Sequence, residues 1–79
     1  MDMIKKQITV FSRNNCMQCK MVKRFLIDHG VSFNEINIDE EPSAREALIN
    51  EGYMSLPVVK SNEVTFTGFR PDELRKIVA

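Results

Sequence analysis

The strongest constraint on this chain is the order of its first three patterns, a strand, a helix and a strand within residues 7–38. Gln7–Ser12 (QITVFS) is β-branched and apolar on both faces, as in a strand buried inside a sheet. Asn14–Gly30 follows as a helix, in which Asn14 or Asn15 can cap the start and Gly30 stands after the end. Met21, Val22, Phe25 and Leu26 fall on one face of that helix, and Lys20, Lys23 and Arg24 on the other. Ser32–Ile38 (SFNEINI) then alternates, with Ile36 and Ile38 on one side, and reads as a second strand. Two strands joined by a helix pair in parallel, with a right-handed crossover.

The remainder completes a sheet. Asp39–Glu41 and Pro42 begin a second helix, with acidic residues where the helix dipole favours them. Ala44, Ala47 and Leu48 form its expected packing face, and Gly52 ends it. Leu56–Lys60 (LPVVK), a turn at Ser61-Asn62-Glu63 and Val64–Thr67 (VTFT) read as a hairpin, which Gly68 breaks. Pro71, Asp72 and Glu73 open a last helix, with Leu74, Ile77 and Val78 inward and Arg75 and Lys76 near its end. The order β-α-β-α-β-β-α predicts an α/β domain, a mixed four-stranded sheet flanked by three helices. The chain has 79 residues, so residues 1–79 are expected to form one domain. Hydrophobic residues make up 43% of it, enough for a packed core in a chain that buries roughly 60% of its unfolded surface.

No apolar run approaches the ~20 residues needed to span a bilayer. The start, MDMIKKQITVFS, lacks a long apolar segment, so no signal peptide is read and a cytoplasmic location is expected. Net charge is zero, which argues against a nucleic-acid footprint. The charges are unevenly spread: residues 1–30 hold six basic and two acidic residues, residues 31–63 two basic and seven acidic. Arg13, Lys20, Lys23 and Arg24 surround the only two cysteines. These cations fit a solvated helix face, or a set that holds a thiolate and meets an acidic partner segment.

Cys16 and Cys19 carry the chemistry. A disulfide between residues this close restrains the unfolded chain little, because stabilisation grows with loop size. Reducing compartments also disfavour structural disulfides, which leaves redox chemistry or metal binding. Cys16 follows a strand and starts a helix, where unpaired N–H groups and the helix dipole favour a thiolate, as does nearby Arg13. A thiol three residues on can resolve the mixed disulfide that this thiolate forms. On the helical wheel Cys19 borders the apolar stripe and Cys16 lies further toward the polar face, so Cys16 is expected exposed and Cys19 partly sheltered. A CxxC beside a βαβ pattern is a redox signal.

Other uses fit less well. A structural zinc site takes four ligands, and the chain offers two cysteines and His29 at the far end of the same helix. Haem attachment needs CxxCH, and Lys20 stands at the His position. A copper carrier's βαββαβ order differs from this one. His29 reads as a helix-end residue meeting the dipole. Met21 reads as core, and Met17 as an exposed contact beside the nucleophile. In SLPVV, Pro57 is either a simple turn into the hairpin or part of a cis Leu56–Pro57 bond beside the cysteines. The cis form would leave the Leu56 backbone free to pair with an extended partner segment. In FTGFRPDEL, Gly68 suits a tight backbone, and Phe69 with Arg70 forms an interface anchor if the ring is exposed; burial of Phe69 fits the sequence equally.

The element order, the CxxC at the first strand–helix junction and the later Leu-Pro resemble a thioredoxin fold of the glutaredoxin type across essentially the whole chain. Glutaredoxins usually carry Pro-Tyr between the cysteines; CMQC instead resembles the C-[VM]-Q-C of the NrdH-redoxins. TGFRPDEL resembles that family's S-G-F-R-P-D segment, where glutaredoxins carry a Gly-Gly-x-Asp glutathione site. The resemblance implies a dithiol–disulfide oxidoreductase reduced by thioredoxin reductase with NADPH. It implies an acceptor too, the large subunit of class Ib ribonucleotide reductase, through a disulfide on a flexible tail. Carried over, Cys16 is the attacking thiol, Cys19 the resolving thiol and Pro57 the cis-proline, with Arg13, Met17 and Gln18 as active-site support. Leu56, Phe66, Thr67, Gly68, Phe69 and Arg70 become the partner-binding segment. Where the family commonly has Trp-Ser this chain has Phe66-Thr67, so an indole hydrogen bond is absent and the Thr67 hydroxyl is the group left to link the loop toward the active-site turn. No cofactor and no metal are implied, nor nucleic acid or membrane, and a monomer is expected. The alternatives are a glutathione-dependent glutaredoxin and, from another class, a metal-binding module holding an iron–sulfur cluster or copper.

Overall fold

The computed structural model describes residues 7–62 and 64–78. Lys5 and Lys6 of the basic start, and Glu63 of the expected hairpin turn, lie outside the described residues. The elements are β1 (Thr9–Ser12), α1 (Met17–Asp28), β2 (Asn34–Asn37), α2 (Pro42–Asn50), β3 (Val58–Lys60), β4 (Thr65–Thr67) and α3 (Pro71–Val78). The sheet runs β2-β1-β3-β4. β1 pairs in parallel with β2 and antiparallel with β3, and β3 pairs antiparallel with β4. The expected thioredoxin-like α/β architecture is therefore present, with β1 as a central strand.

The position of β1 accounts for its two apolar faces. Ile8 and Val10 join Val22 and Leu26 of α1, Val59, Phe66, and Leu74 and Ile77 of α3 in one core cluster. On the other face Phe11 packs with Ile38, Leu48 of α2 and Val58. Helices α1 and α3 cover one side of the sheet and α2 the other. Val10, Val22, Leu26, Val59 and Leu74 are all 0% exposed, so the first layer is closed to solvent.

Three expectations about packing are corrected. Leu48 is the buried residue of α2, whereas Ala47 faces solvent and Ala44 is half-buried, because α2 enters the second cluster through Leu48 with Ala44 packed against it. Met21 is 41% exposed, not core. It shares a helical face with Phe25, but Val22 and Leu26 are the α1 residues that join Leu74 and Ile77 of α3 in the core cluster, and Met21 is outside it. Neither Asn14 nor Asn15 caps α1. The N-cap is Cys16 itself, in extended geometry (φ −117, ψ 105). Asn15 takes the left-handed conformation (φ 56) that turns the chain into the helix, one that Asn adopts more readily than most residues.

Candidate active site

Cys16 ends the turn that leaves β1, so the fold places it where α1's first amides point outward. The Cys19 N–H donates to Cys16 Sγ at 3.2 Å, the bond that a Ser or Asp oxygen makes at an ordinary N-cap. Cys16 and Cys19 are joined as a disulfide, with Cα atoms 5.2 Å apart. Cys16 is 8% exposed and Cys19 1%. Cys16 is the more accessible of the two, as the wheel predicts, but it is far more covered than an exposed first-turn residue. The reason is its extended cap geometry, which folds the side chain back against the helix start.

Residues distant in sequence frame the pair. The Leu56–Pro57 peptide is cis, and Pro57 is buried at the start of β3. Its carbonyl accepts the Gly68 N–H at 2.8 Å, which ties the loop after β4 to the proline turn. Gly68 has φ 82, the left-handed region closed to most side chains, and a Cβ there would lie 3.6 Å from Gln18 Oε1. Gln18, between the cysteines, therefore rests over Gly68. This contact and the Gly68–Pro57 bond link the three segments. Among the described residues the Thr67 hydroxyl makes no hydrogen bond, so the link expected from it is supplied by its neighbour's backbone.

The remaining expected partner-binding residues separate by burial. Phe66 is 7% exposed and belongs to the core cluster, because its place in β4 turns its ring toward α1 and α3. It supports the loop and offers little surface to a partner. Phe69 is half-buried, edge-on to Phe25 of α1 with ring centroids 6.5 Å apart. It forms one wall of a shallow groove whose other lining includes Met17, Lys20, Met21, Arg24 and Phe25. Met17 is 69% exposed at the groove's cysteine end. Arg70 faces α3's first turn, 3.3 Å from Asp72 and 3.7 Å from Glu73. Leu56 and Arg13 line a second cleft of about 400 Å³ with Arg45, Tyr53 and Met54.

The basic residues around the cysteines are not equivalent. Lys23 binds Glu35 at 2.7 Å and Arg24 lies 3.5 Å from Asp28, whereas Arg13 and Lys20 have no carboxylate partner among the described residues. His29 caps the far end of α1. Its ring stacks on Phe25, and with Nδ1 protonated it donates to the Phe25 carbonyl at 2.8 Å.

Two polar clusters carry no motif and were not legible in the sequence. Ser12, 1% exposed, donates to Glu35 Oε2 at 2.8 Å, on the same oxygen that Lys23 binds. The Lys23 hydrogen bond, with a smaller one from Ser12, holds the Glu35 carboxyl below its ordinary value of 4.5 against the opposing effect of burial. A carboxylate whose pKa is depressed by folding stabilises the fold above its unfolded pKa and loses that contribution as pH falls through the folded value. Lys23 and Glu35 are 28% and 38% exposed, so the contribution is at most about 1 kcal/mol. Urea melts of Glu35→Gln should show the variant weaker than the parent at pH 7, with the gap closing as the pH is taken below the ordinary carboxylate range and Glu35 becomes protonated in both states. The second cluster joins Asn14, Asn37, Asp39 and Arg45 beside the turn that carries Cys16.

The glutaredoxin family pattern matches residues 8–65. The glutaredoxin-like protein NrdH of Lactococcus lactis subsp. cremoris is 53% identical over 70 residues, covering 89% of this chain and 97% of that one. This chain belongs to the NrdH-type glutaredoxin family. The solved structure of the Escherichia coli family member, NrdH-redoxin, has 41% identity and superposes with a TM-score of 0.86, covering 89% of this chain and 92% of that one. A glutaredoxin from Archaeoglobus fulgidus superposes at 0.76 with 27% identity, covering 91% and 85%. The family's chemistry is thiol–disulfide exchange, and the Cys16–Cys19 pair is built for it. Among the described residues no helix is long and apolar enough to cross a membrane.

Proposed function

We propose that the protein is a thioredoxin-like electron donor within a glutaredoxin-like fold. It is reduced by thioredoxin reductase with NADPH and passes two electrons to class Ib ribonucleotide reductase. The observation that carries this reading is the closure of the Gly68–Arg70 loop over the active-site turn, with Gln18 against Gly68 and Phe69 against Phe25. The loop that in glutaredoxins offers a Gly-Gly-x-Asp glutathione site is here occupied by the chain's own side chains. What it leaves beside Met17 is an apolar groove with Lys20 and Arg24 on its rim, suited to a protein surface rather than to a tripeptide. The Escherichia coli relative, whose structure was described for its thioredoxin-like activity profile, supports the same reading.

In this scheme the Cys16 thiolate attacks one sulfur of the acceptor disulfide. A Cys16–acceptor S–S bond forms as the acceptor's own bond breaks, and the first acceptor thiolate leaves. Cys19 then attacks Cys16 Sγ, expels the second acceptor thiolate and closes the internal disulfide. The acceptor has gained two electrons, and the reductase returns them from NADPH. The cis Leu56–Pro57 turn is tied through the Gly68 N–H to the loop that meets Gln18, between the cysteines, and among the described residues the Leu56 backbone has no hydrogen-bond partner. An extended acceptor tail can pair with it as a short added strand.

A coupled assay tests the reading. With NADPH and thioredoxin reductase, NADPH oxidation driven by an insulin disulfide should proceed at least about 10-fold faster than with glutathione and glutathione reductase, a gap of about 1.4 kcal/mol in barrier. Activity with glutathione alone would overturn it. Restored turnover of a class Ib ribonucleotide reductase on adding the reduced protein checks the acceptor.

A further inference from the structure

The parallel ladder between β1 and β2 ends where the Ile38 N–H donates to the Ser12 carbonyl at 2.8 Å. Beyond it, Arg13–Asn15 must turn the chain into α1 without help from the sheet. Side chains take over. The Asn14 N–H donates to Asp39 Oδ2 at 2.9 Å. Asn37 Nδ2 donates to Asn14 Oδ1 at 3.1 Å, and the Asp39 N–H donates to Asn37 Oδ1 at 2.8 Å, which closes a ring of three residues. Arg45 of α2 holds the other Asp39 oxygen at 2.9 Å. The ring grips Asn14, next to Asn15 in its left-handed conformation and two residues before Cys16.

We propose that Asp39 and Asn37 are positioning residues for Cys16: their clasp on Asn14 holds the turn in the shape that keeps Cys16 Sγ at the N-cap of α1. The inference rests on Cys16 being the attacking thiol. The Cys19 N–H bond to Cys16 Sγ is seen with the pair as a disulfide; kept on reduction, it and the helix dipole favour the thiolate over the thiol. Without the clasp Asn15 can relax toward ordinary φ, Cys16 leaves the cap, and the thiolate loses both supports. Geometry and charge then act in opposite directions. As a bare negative charge Asp39 disfavours a thiolate, so deleting it would make Cys16 more acidic. As part of the clasp it favours the thiolate indirectly, so deleting it makes Cys16 less acidic. Asn37→Ala breaks the ring without changing charge, and keeps the ionic groups of every neighbouring element: Arg13 in the turn, Lys20 on α1, Asp39, Arg45 on α2 and Arg70 before α3.

The test is the pH dependence of iodoacetamide alkylation of Cys16 in full-length Cys19→Ser protein, with Asn37→Ala and Asp39→Ala added singly and folding checked by circular dichroism. Both variants should alkylate about five-fold more slowly at pH 6.5, with the midpoint of the pH–rate curve moved upward, because less thiolate is present. Unchanged midpoints in both variants overturn the clasp. So does a downward shift in Asp39→Ala with Asn37→Ala unchanged, since the carboxylate would then act only as a charge. If Asp39→Ala does not fold, Asn37→Ala alone decides. The Cys19→Ser parent is the control for the underlying reading. A midpoint at the ordinary thiol value of about 8.5 removes Cys16 as an activated nucleophile. A lower midpoint that neither variant moves removes only the clasp.

Discussion

Cys16→Ser should abolish disulfide reduction, and Cys19→Ser should leave the protein covalently attached to its acceptor. The asymmetry follows from burial and position. Cys19 is 1% exposed and lies inside the first turn of α1, where no sulfur of a large partner can reach it in line. With Cys16 removed, no accessible thiol remains, and turnover should fall at least about 10³-fold, the usual cost of losing a covalent nucleophile. With Cys19 removed, Cys16 still sits at the helix cap and still attacks. The mixed disulfide then persists, because no internal thiol is present to expel the partner. Non-reducing electrophoresis and intact-mass spectrometry after incubation with an oxidised acceptor read this directly. The expected product is one acceptor bound per chain through Cys16, released by dithiothreitol. Full activity in Cys16→Ser, or capture by that variant instead, would reverse the assigned roles.

Leu26→Ala should be the most damaging single truncation of the fold. Leu26 is 0% exposed and lies seven residues beyond Cys19 on α1, packed in the cluster that joins α1, α3 and the sheet. Truncating a buried Leu costs about 2–5 kcal/mol, through lost transfer energy and the cavity left behind. A domain of this size holds roughly 4–12 kcal/mol in total. A loss near 3 kcal/mol lowers the thermal midpoint by about 10–20 °C, at several degrees per kcal/mol for so short a chain. Ile27→Ala, at the next position, is the control. Ile27 is 62% exposed, and its truncation should change stability by no more than about 0.5 kcal/mol. Denaturant melts of the two variants in parallel separate lost packing from any general effect on α1. Equal losses would mean that α1 is not held by the face the structure shows.

Most of the architecture was legible because it depends on patterns a few residues long. The strand within Gln7–Ser12, which runs from Thr9 to Ser12 and leaves Gln7 exposed, the stripe of α1, the hairpin around Ser61 and Asn62 and the acidic start of α3 each report a local periodicity or turn. The order of those patterns leaves little freedom in how the strands connect. The positions of Pro57 and Gly68 were readable for the same reason, since each residue type has few backbone uses.

The errors share a cause. Periodicity shows which face of a helix is apolar but not how far its neighbour extends across that face. The stripe of α1 therefore suggests a core Met21, although Met21 is 41% exposed and outside the core cluster. The same periodicity puts Ala47 on the packing face of α2, although the buried residue of that helix is Leu48. Residue preference points to Asn14 or Asn15 as the cap of α1, whereas the structure uses those residues to make and hold the turn. Asn14 bonds to Asp39, 25 residues away, and Ser12 to Glu35, 23 residues away. Contacts at that separation leave no mark on local composition.

The sequence by itself determined that two cysteines, three residues apart, begin a helix after a buried strand. That placement favours a thiolate with a resolving thiol in reach, because amides and dipole at a helix start act on whatever side chain stands there. Only the tertiary structure decided how the thiols are presented: Cys16 as the cap itself, Cys19 sealed beneath it, Gln18 seated over Gly68, and the turn before them clasped from β2 and α2. These features depend on segments that meet only when the sheet closes, so they follow from packing and not from any stretch of the chain.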